Sequence, residues 1–142
     1  MYRHILIPTD GSEPAGHGLA HGLALAKSLG AKVSVIFVSE PFSEMTGRFL
    51  EAVARYAELR KEQATSVLNR AASAAKEAGV SCDTIQVENG QPHQAIIAAA
   101  EDKGCDLIVM SSHGRSGLSM LLIGSVTNKV LTHAKTPVLV CQ

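Results

Sequence analysis

The sequence predicts an α/β fold in which a parallel β-sheet is covered by helices on both faces. Five short segments typical of strands alternate strictly with four segments of helical periodicity along the 142 residues. Most of the strand segments are runs of Val, Ile and Leu, as in strands buried on both faces. Such alternation favours right-handed crossovers between parallel strands, which place helices on both faces of the sheet. We therefore expect one doubly wound domain that spans residues 1–142.

The predicted strands differ in how deeply they are expected to be buried. Four of them are largely apolar and cover residues 5–7, 33–38, 107–110 and 138–140. The third strand in chain order, residues 83–87, alternates polar and apolar side chains instead. This alternation is typical of a strand near a sheet edge, where one face meets solvent.

The predicted helices are delimited by capping residues as well as by periodicity. The first begins near Ser12, a good N-cap followed by Glu13 and Pro14, and ends at Gly30. Apolar residues at helical spacing predict a second helix over residues 48–79. A third helix is expected over residues 92–104, and a fourth begins near Ser125.

Two short loops follow predicted strands and define a candidate site. One is residues 8–12 after the first strand, and the other is residues 111–125 after the fourth. Ligands of open parallel sheets bind beyond the carboxyl ends of the strands, where the direction of winding reverses. If strands one and four are neighbours there, both loops line one crevice. Gly114, Gly117 and Gly124 would let the backbone approach a phosphate, which the N–H groups of a helix start attract.

Individual residues of these loops allow more than one role. Asp10 could bind a ribose, a base or a metal ion beside phosphates, or it could only cap the first helix together with Ser12. Ser125 could offer its hydroxyl to a phosphate, serve as an ordinary N-cap, or do both. Arg115 could reach a phosphate or remain solvated, and His113 could orient the loop or touch a ligand.

Other candidate chemistry is less favoured by the sequence. His17 and His21 are spaced like metal ligands on one helix face, but no third ligand accompanies them, so we assign them a structural role and expect no metal site. The spacing of the remaining residues supports no Ser-His-Asp or Cys-His nucleophile.

Composition excludes several classes of partner. Thirteen basic and thirteen acidic residues balance, so no long-range field would attract nucleic acid or an anionic membrane. No apolar stretch approaches the roughly 20 residues of a membrane helix, and no segment resembles a signal peptide. Three cysteines without a CxxC pattern are expected to be small buried hydrophobic residues in a reducing cytoplasm.

Several motifs together resemble the universal stress protein family of the UspA type from end to end. They are the run from Ile5 to Ser12, the pair Gly90 and Pro92, the run from Asp106 to Met110, the run from His113 to Gly117, the triplet from Gly124 to Val126, and the run from Thr136 to Val140. The resemblance implies a five-stranded α/β fold with strand order 3-2-1-4-5, usually dimeric, induced by stress and without a settled catalytic activity.

The nucleotide-binding branch of that family has a motif similar to G-x-x-G, nine residues, then G-[S/T]. In this chain Gly114 and the pair Gly124 and Ser125 match the motif, whereas Ser111 stands where the first glycine is expected. The departure implies weaker or adjusted ATP binding, and tighter binding in a Ser111→Gly variant. The resemblance implies a pocket formed by Pro8, Thr9, Asp10, Val38, Met110, Ser111, His113, Gly114, Gly124, Ser125, Val126 and Thr127. Arg115 and Gly117 of the same loop are further candidate site residues.

The function favoured by the sequence is that of a cytoplasmic module that binds ATP, with or without Mg²⁺, and hydrolyses it slowly at most. No general base is evident near the expected phosphate position. The alternative is a stress protein that has lost nucleotide and acts through its dimer and its partners. A phosphate-accepting regulator that uses Asp10 is least favoured, because its chemistry needs several acids around a metal. We further expect a homodimer through the apolar C-terminal strand, Val138–Cys141.

Overall fold

The protein is represented by a computed structural model that describes residues 1–41, 50–113 and 123–142. Strands and helices alternate through these ranges, as the sequence predicted. The elements are β1 His4–Pro8, α1 Glu13–Leu29, β2 Lys32–Ser39, α2 Leu50–Ala78, β3 Cys82–Glu88, α3 Pro92–Lys103, β4 Leu107–Ser111, α4 Ser125–His133 and β5 Val138–Cys141.

All five strands form one parallel sheet in the order β3-β2-β1-β4-β5. This confirms the predicted fold class and strand order. The chain first winds from β1 towards β3, then crosses back and continues from β4 to β5. Right-handed crossovers then require α1 and α2 on one face and α3 and α4 on the other.

The core accordingly has two layers, one on each face of the sheet. Ile5, Ile7 and Phe37 belong to the cluster that packs against α1 and α2. Leu6 and Ile108 belong to the cluster that packs against α3 and α4. The alternation of neighbouring β1 residues between the two clusters follows from the two-residue period of a strand. The edge strand β3 is only half-buried at alternate positions, as its pattern predicted.

Helix α1 begins and ends where its capping residues predicted. The Ser12 hydroxyl accepts a hydrogen bond from the Ala15 N–H at 3.3 Å and caps the helix. Gly30 follows the helix with φ of +68°, a left-handed conformation that glycine adopts without strain.

Within the described ranges, no helix is both long and apolar enough to cross a membrane.

The cysteines are less uniformly buried than the sequence predicted. Cys105 and Cys141 are buried, whereas Cys82 is half-buried because β3 is an edge strand, and all three are free thiols. Burial raises the pKa of the Cys105 thiol to about 11. A thiol with such a pKa is protonated near neutral pH, so Cys105 is a poor nucleophile.

A chain of polar side chains crosses the amino ends of three strands beneath α3. His4 Nε2 and Ser34 Oγ are 2.7 Å apart, the Ser34 hydroxyl donates to Asp83 Oδ1, and Lys103 Nζ lies 3.1 Å from Asp83 Oδ2. Because an ionised carboxylate only accepts, the Ser34 hydroxyl donates its proton to Asp83. Ser34 is completely buried, so this chain is structural and does not form an accessible nucleophile.

The charge state of this chain depends on pH. Burial lowers the pKa of His4, and the charge of Lys32 adds to the effect. Burial alone would raise the pKa of Asp83, but hydrogen bonds from Ser34 and Lys103 outweigh it, so that the pKa is lowered. His4 is therefore favoured as the neutral imidazole and Asp83 as the carboxylate in the folded protein.

Acidification should destabilise the fold through His4. Since the pKa of His4 in the folded protein lies below 6.5, the unfolded chain binds its proton first, and stability falls as pH drops below about 6.5. In thermal unfolding experiments, a His4→Gln variant should lose less stability between neutral pH and pH 5 than the unmodified protein loses. The pH dependence of stability should be reduced rather than abolished in this variant, because the pKa of His93 is also lowered. A His21→Gln variant at an exposed position is the control, and an equal reduction there would contradict this account.

Helix α1 lies close to the sheet because two of its three glycines face the strands. A Cβ on Gly18 would lie 3.0 Å from the backbone nitrogen of Ser111, and a Cβ on Gly22 would collide with the Ile7 side chain. These glycines therefore set the distance between α1 and the ends of β1 and β4.

Substitution of Gly18 should loosen this packing. Gly18→Ala should lower the free energy of unfolding by about 1–3 kcal/mol, since the contacted atoms are backbone and cannot move aside cheaply. Gly16→Ala on the same helix should instead stabilise by up to about 1 kcal/mol, because nothing lies within 4 Å of its Cβ position. Urea denaturation measures both, and equal effects at the two positions would refute the packing role of Gly18.

Candidate functional site

A gap opens at the carboxyl ends of β1 and β4. The β1–β2 ladder runs through the pair Pro8 and Ile36, whereas the β1–β4 ladder has its last pair at Leu6 and Ile108. The final residues of β1 and β4 therefore lie beyond the part in which these two strands pair with each other, although each remains paired with its other neighbour. This is the position where the winding of the sheet reverses, and where ligands of such sheets bind.

The loop after β1 is held by its own backbone and short side chains. The Thr9 N–H donates to the Ile36 carbonyl at 2.9 Å, and the Gly11 N–H donates to Thr9 Oγ1 at 3.2 Å. Gly11 has φ of +80°, and a Cβ there would lie 2.6 Å from Val67 Cγ2. Backbone conformation and steric contact with α2 both require glycine at this position, so the turn that carries Asp10 is fixed.

Asp10 has a structural role in this turn. Its Oδ1 accepts a hydrogen bond from the Ser12 N–H at 2.9 Å, while Ser12 itself caps α1. This contact supports the capping role that the sequence left open.

The residues after β4 form a compact set of hydrogen bonds. Ser111 Oγ donates to the His113 carbonyl at 2.6 Å, and Ser112 Oγ lies 2.9 Å from His113 Nδ1. The Ser112 backbone links this segment to its neighbours, since its N–H donates to the Cys141 carbonyl and its carbonyl accepts from the Gly124 N–H. His113 is thus oriented by the loop, in agreement with one of its two predicted roles.

The amino end of α4 lies directly against the end of β4. Thr127 Oγ1 donates to the Ser111 carbonyl at 2.9 Å, and Thr127 is buried. The N-cap of α4 is Gly124, so Ser125 is the first residue of the helix and its reading as an N-cap is wrong. Gly124 has no side chain that could cap this end, and the first turn of α4 contains no acidic residue. The first N–H groups of a helix and the positive end of its dipole attract anions.

Apolar residues lie on the α3/α4 side of the same region. Met110 is buried in the core cluster on that side, and Val38 and Val126 are partly buried against the cluster. Val38 is next to last in β2, and Val126 lies in the first turn of α4. They offer apolar surface on the face of the sheet that carries α4.

Most of the predicted site residues are thus placed at the carboxyl side of the sheet. Pro8, Thr9 and Asp10 follow the part of β1 that pairs with β4, and Ser111 ends β4. Gly114, Arg115 and Gly117 lie outside the described residues. The sequence analysis missed Ser112, which joins β4, β5 and α4 through its backbone; its position inside the recognised motif was the only available signal.

The histidine pair on α1 does not form part of a metal site in the structure. His17 and His21 are exposed, and across residues 1–41, 50–113 and 123–142 no three His, Cys, Asp or Glu side chains are grouped to hold a metal ion. His93 and His133 lie near each other on α3 and α4, with ring centroids 5.9 Å apart.

Comparison with known sequences establishes the family. The model of the universal stress protein family matches residues 1–142. Universal stress protein MJ0531 of Methanocaldococcus jannaschii is 38% identical over 143 residues, which cover all of this chain and 83% of that protein. YxiE of Bacillus subtilis is 33% identical over 152 residues and both chains are covered completely. The chain belongs to the universal stress protein family.

Solved structures share the fold along nearly the whole chain. The MJ0577 protein of M. jannaschii superposes with a TM-score of 0.83 at 32% identity, covering 99% of this chain and 95% of that one. A universal stress protein in complex with cAMP gives a TM-score of 0.71 at 25% identity, covering 99% and 97%. A universal stress protein of Archaeoglobus fulgidus in complex with dAMP gives 0.72 at 22% identity, covering 99% and 98%. Some members of this fold therefore bind adenine nucleotides.

Proposed function

We propose that this universal stress protein binds ATP, together with Mg²⁺, in the crevice between β1 and β4. The observation that carries the proposal is the amino end of α4, which starts at the N-cap Gly124 without an acidic residue in its first turn and is held against β4 by the hydrogen bond from Thr127 to the Ser111 carbonyl. Relatives that bind cAMP and dAMP support an adenine nucleotide as the ligand. Free thiols are consistent with a reducing cytoplasm as the place where it acts.

Each part of the nucleotide would meet matching chemistry in this arrangement. The phosphates would accept hydrogen bonds from the first N–H groups of α4, with the Ser125 hydroxyl beside them. The adenine would cover the apolar surface of Val38 and Val126, next to Met110. Asp10 would bind the ribose or a metal ion through its carboxylate.

The arrangement supports binding more than catalysis. Hydrolysis requires a group that removes a proton from the attacking water, and the first turn of α4 contains no carboxylate. We therefore propose a nucleotide-dependent binding module with slow turnover at most. Such a module would change its affinity for partners with the state of its nucleotide.

Gly124→Val should abolish ATP binding without unfolding the protein. Gly124 has φ of −59° and ψ of 155°, which a residue with a side chain also adopts, so the backbone is not strained by the change. A branched side chain would occupy the space where a phosphate meets the helix. Titration calorimetry with ATP and Mg²⁺ should show an affinity at least about 10-fold weaker, which corresponds to 1.4 kcal/mol.

The matched control is Gln91→Val at the N-cap of α3, which also lacks a side-chain capping bond. This variant should bind ATP as the unmodified protein does. Absence of heat with ATP at millimolar concentration in the unmodified protein would overturn the proposal. Equal loss in both variants would show that helix capping, and not the site, was affected.

The structure changes the expectation for Ser111. Its hydroxyl donates to the His113 carbonyl at 2.6 Å, so removal of the side chain also removes a bond that orders the loop. We now expect both Ser111→Gly and Ser111→Ala to weaken ATP binding modestly, by about 0.5–1.5 kcal/mol, the usual net value of one hydrogen bond. Tighter binding by Ser111→Gly, measured by calorimetry, would restore the interpretation drawn from the family's motif.

We also propose that the protein is a homodimer formed through β5. In the described part of the chain β5 pairs only with β4, so its other edge carries unpaired backbone groups. Leu139, in the middle of β5, is 44% exposed. Antiparallel pairing with β5 of a second copy would satisfy both edges about a two-fold axis. This surface would also serve the alternative function, that of a partner-binding protein without nucleotide.

Light scattering of the protein at micromolar concentration should give the mass of two 14.9 kDa chains. Leu139→Lys should shift the mass towards one chain, because two charges would face each other across the new pair. Leu131→Lys on α4, at a similarly exposed leucine, is the control and should leave the mass unchanged. A single-chain mass for the unmodified protein would refute the dimer.

A further inference from the structure

Apart from the crevice between β1 and β4, a cavity lies on the α1/α2 side of the sheet, at the carboxyl ends of β2 and β3. It has a volume of about 480 Å³ and lies between these strand ends and the first half of α2. Its lining includes Ser39, Tyr56, Arg60 and Glu88. Alternation along β2 places Ser39 and Val38 on opposite faces, so this cavity and the apolar surface around Val38 are separated by the sheet.

Arg60 is the cation in this cavity that lies closest to the core. Its guanidinium carbon lies 5.5 Å from the centroid of the Phe37 ring, and its Nη1 donates to Gln63 Oε1 at 2.5 Å. The Nε atom of Arg60 is buried and has no hydrogen-bond partner among the described residues. Within the same residues, Arg60 also forms no ion pair. Gln63 and Phe37 therefore fix the guanidinium plane and leave the Nε edge, the side-on fork that matches a carboxylate.

Ser39 supplies a second unsatisfied group on the same face of β2 as Phe37. Ser39 is 8% exposed, and its Oγ has no hydrogen-bond partner in the described ranges. A buried hydroxyl without a partner costs about 1–3 kcal/mol, so native proteins rarely retain one without a reason. Two buried donors in one cavity, one of them charged, together indicate that an acceptor belongs between them.

The rim of the cavity limits the charge of that acceptor. Glu40 and Glu88 both line the cavity, opposite in charge to Arg60 and Lys61. Two carboxylates would repel a phosphate dianion but would attract an ammonium group. A ligand with one carboxylate and one ammonium would match both sets of charges.

We propose that this cavity is a binding site for a small zwitterion of the α-amino acid class. The ligand carboxylate takes the Nε edge of Arg60 and accepts the hydroxyl proton of Ser39. The ligand ammonium lies towards Glu40 and Glu88 at the rim. Because the cavity lies on the other face of the sheet from the adenine surface, it can be filled while the nucleotide crevice is empty.

The probe is a panel of the 20 free L-α-amino acids, each tested at millimolar concentration by saturation-transfer NMR against the full chain. At least one should give a saturable signal, with an affinity that falls at least 10-fold in both Ser39→Ala and Arg60→Met. Arg70→Met, at an exposed position of the same helix, should bind as the unmodified protein does. Gly124→Val should also retain this signal, which separates the site from the proposed nucleotide crevice.

Thermal unfolding without ligand distinguishes a binding role from a structural one. Ser39→Ala removes a buried hydroxyl that has no partner, so the variant should be at least as stable as the unmodified protein. A signal unaffected by Ser39→Ala and Arg60→Met, or no signal from any amino acid, would overturn the proposal. Inorganic phosphate that competes as well as the amino acid would overturn the assignment of a zwitterion.

Discussion

The separation of β1 from β4 beyond Leu6 and Ile108 is the constraint on which the candidate site depends. Chain winding reverses between these two strands, so their connections leave in opposite directions and helices cover opposite faces. The chain leaves both strands at the same edge of the sheet, which is where ligands of such sheets bind.

Close packing transmits this constraint to the residues of the site. Gly18 brings α1 against the backbone of Ser111, and Gly11 fits against Val67 of α2. Thr127 then ties the start of α4 to the carbonyl of Ser111.

Sequence patterns predicted most of the fold because the relevant signals are local. Apolar runs marked the buried strands, and Ser12 and Gly30 marked the ends of α1. The strand order came from the resemblance to the family, since periodicity alone does not determine which strands are neighbours. Helix α4 begins at Ser125 as expected, but its N-cap is Gly124 rather than Ser125, and the Gly124 N–H donates to the Ser112 carbonyl.

Interactions between residues distant in sequence could not be predicted in the same way. His4 and Asp83 meet at Ser34 only because β1, β2 and β3 are neighbours. A signal did exist, since His4 and Ser34 are polar residues within apolar strands. Arg60 gave a similar signal, as a charged residue on the inward face of α2 near Tyr56 and Ala64.

The central claim is that the nucleotide binds at the reversal point of the sheet. Backbone amide signals of the ¹⁵N-labelled protein, followed during titration with ATP and Mg²⁺, report this location directly. We expect saturable shifts at Thr9, Gly11 and the first residues of α4, with little change around Arg60. Shifts confined to α2 and the ends of β2 and β3, or no shifts at millimolar ATP, would contradict the account.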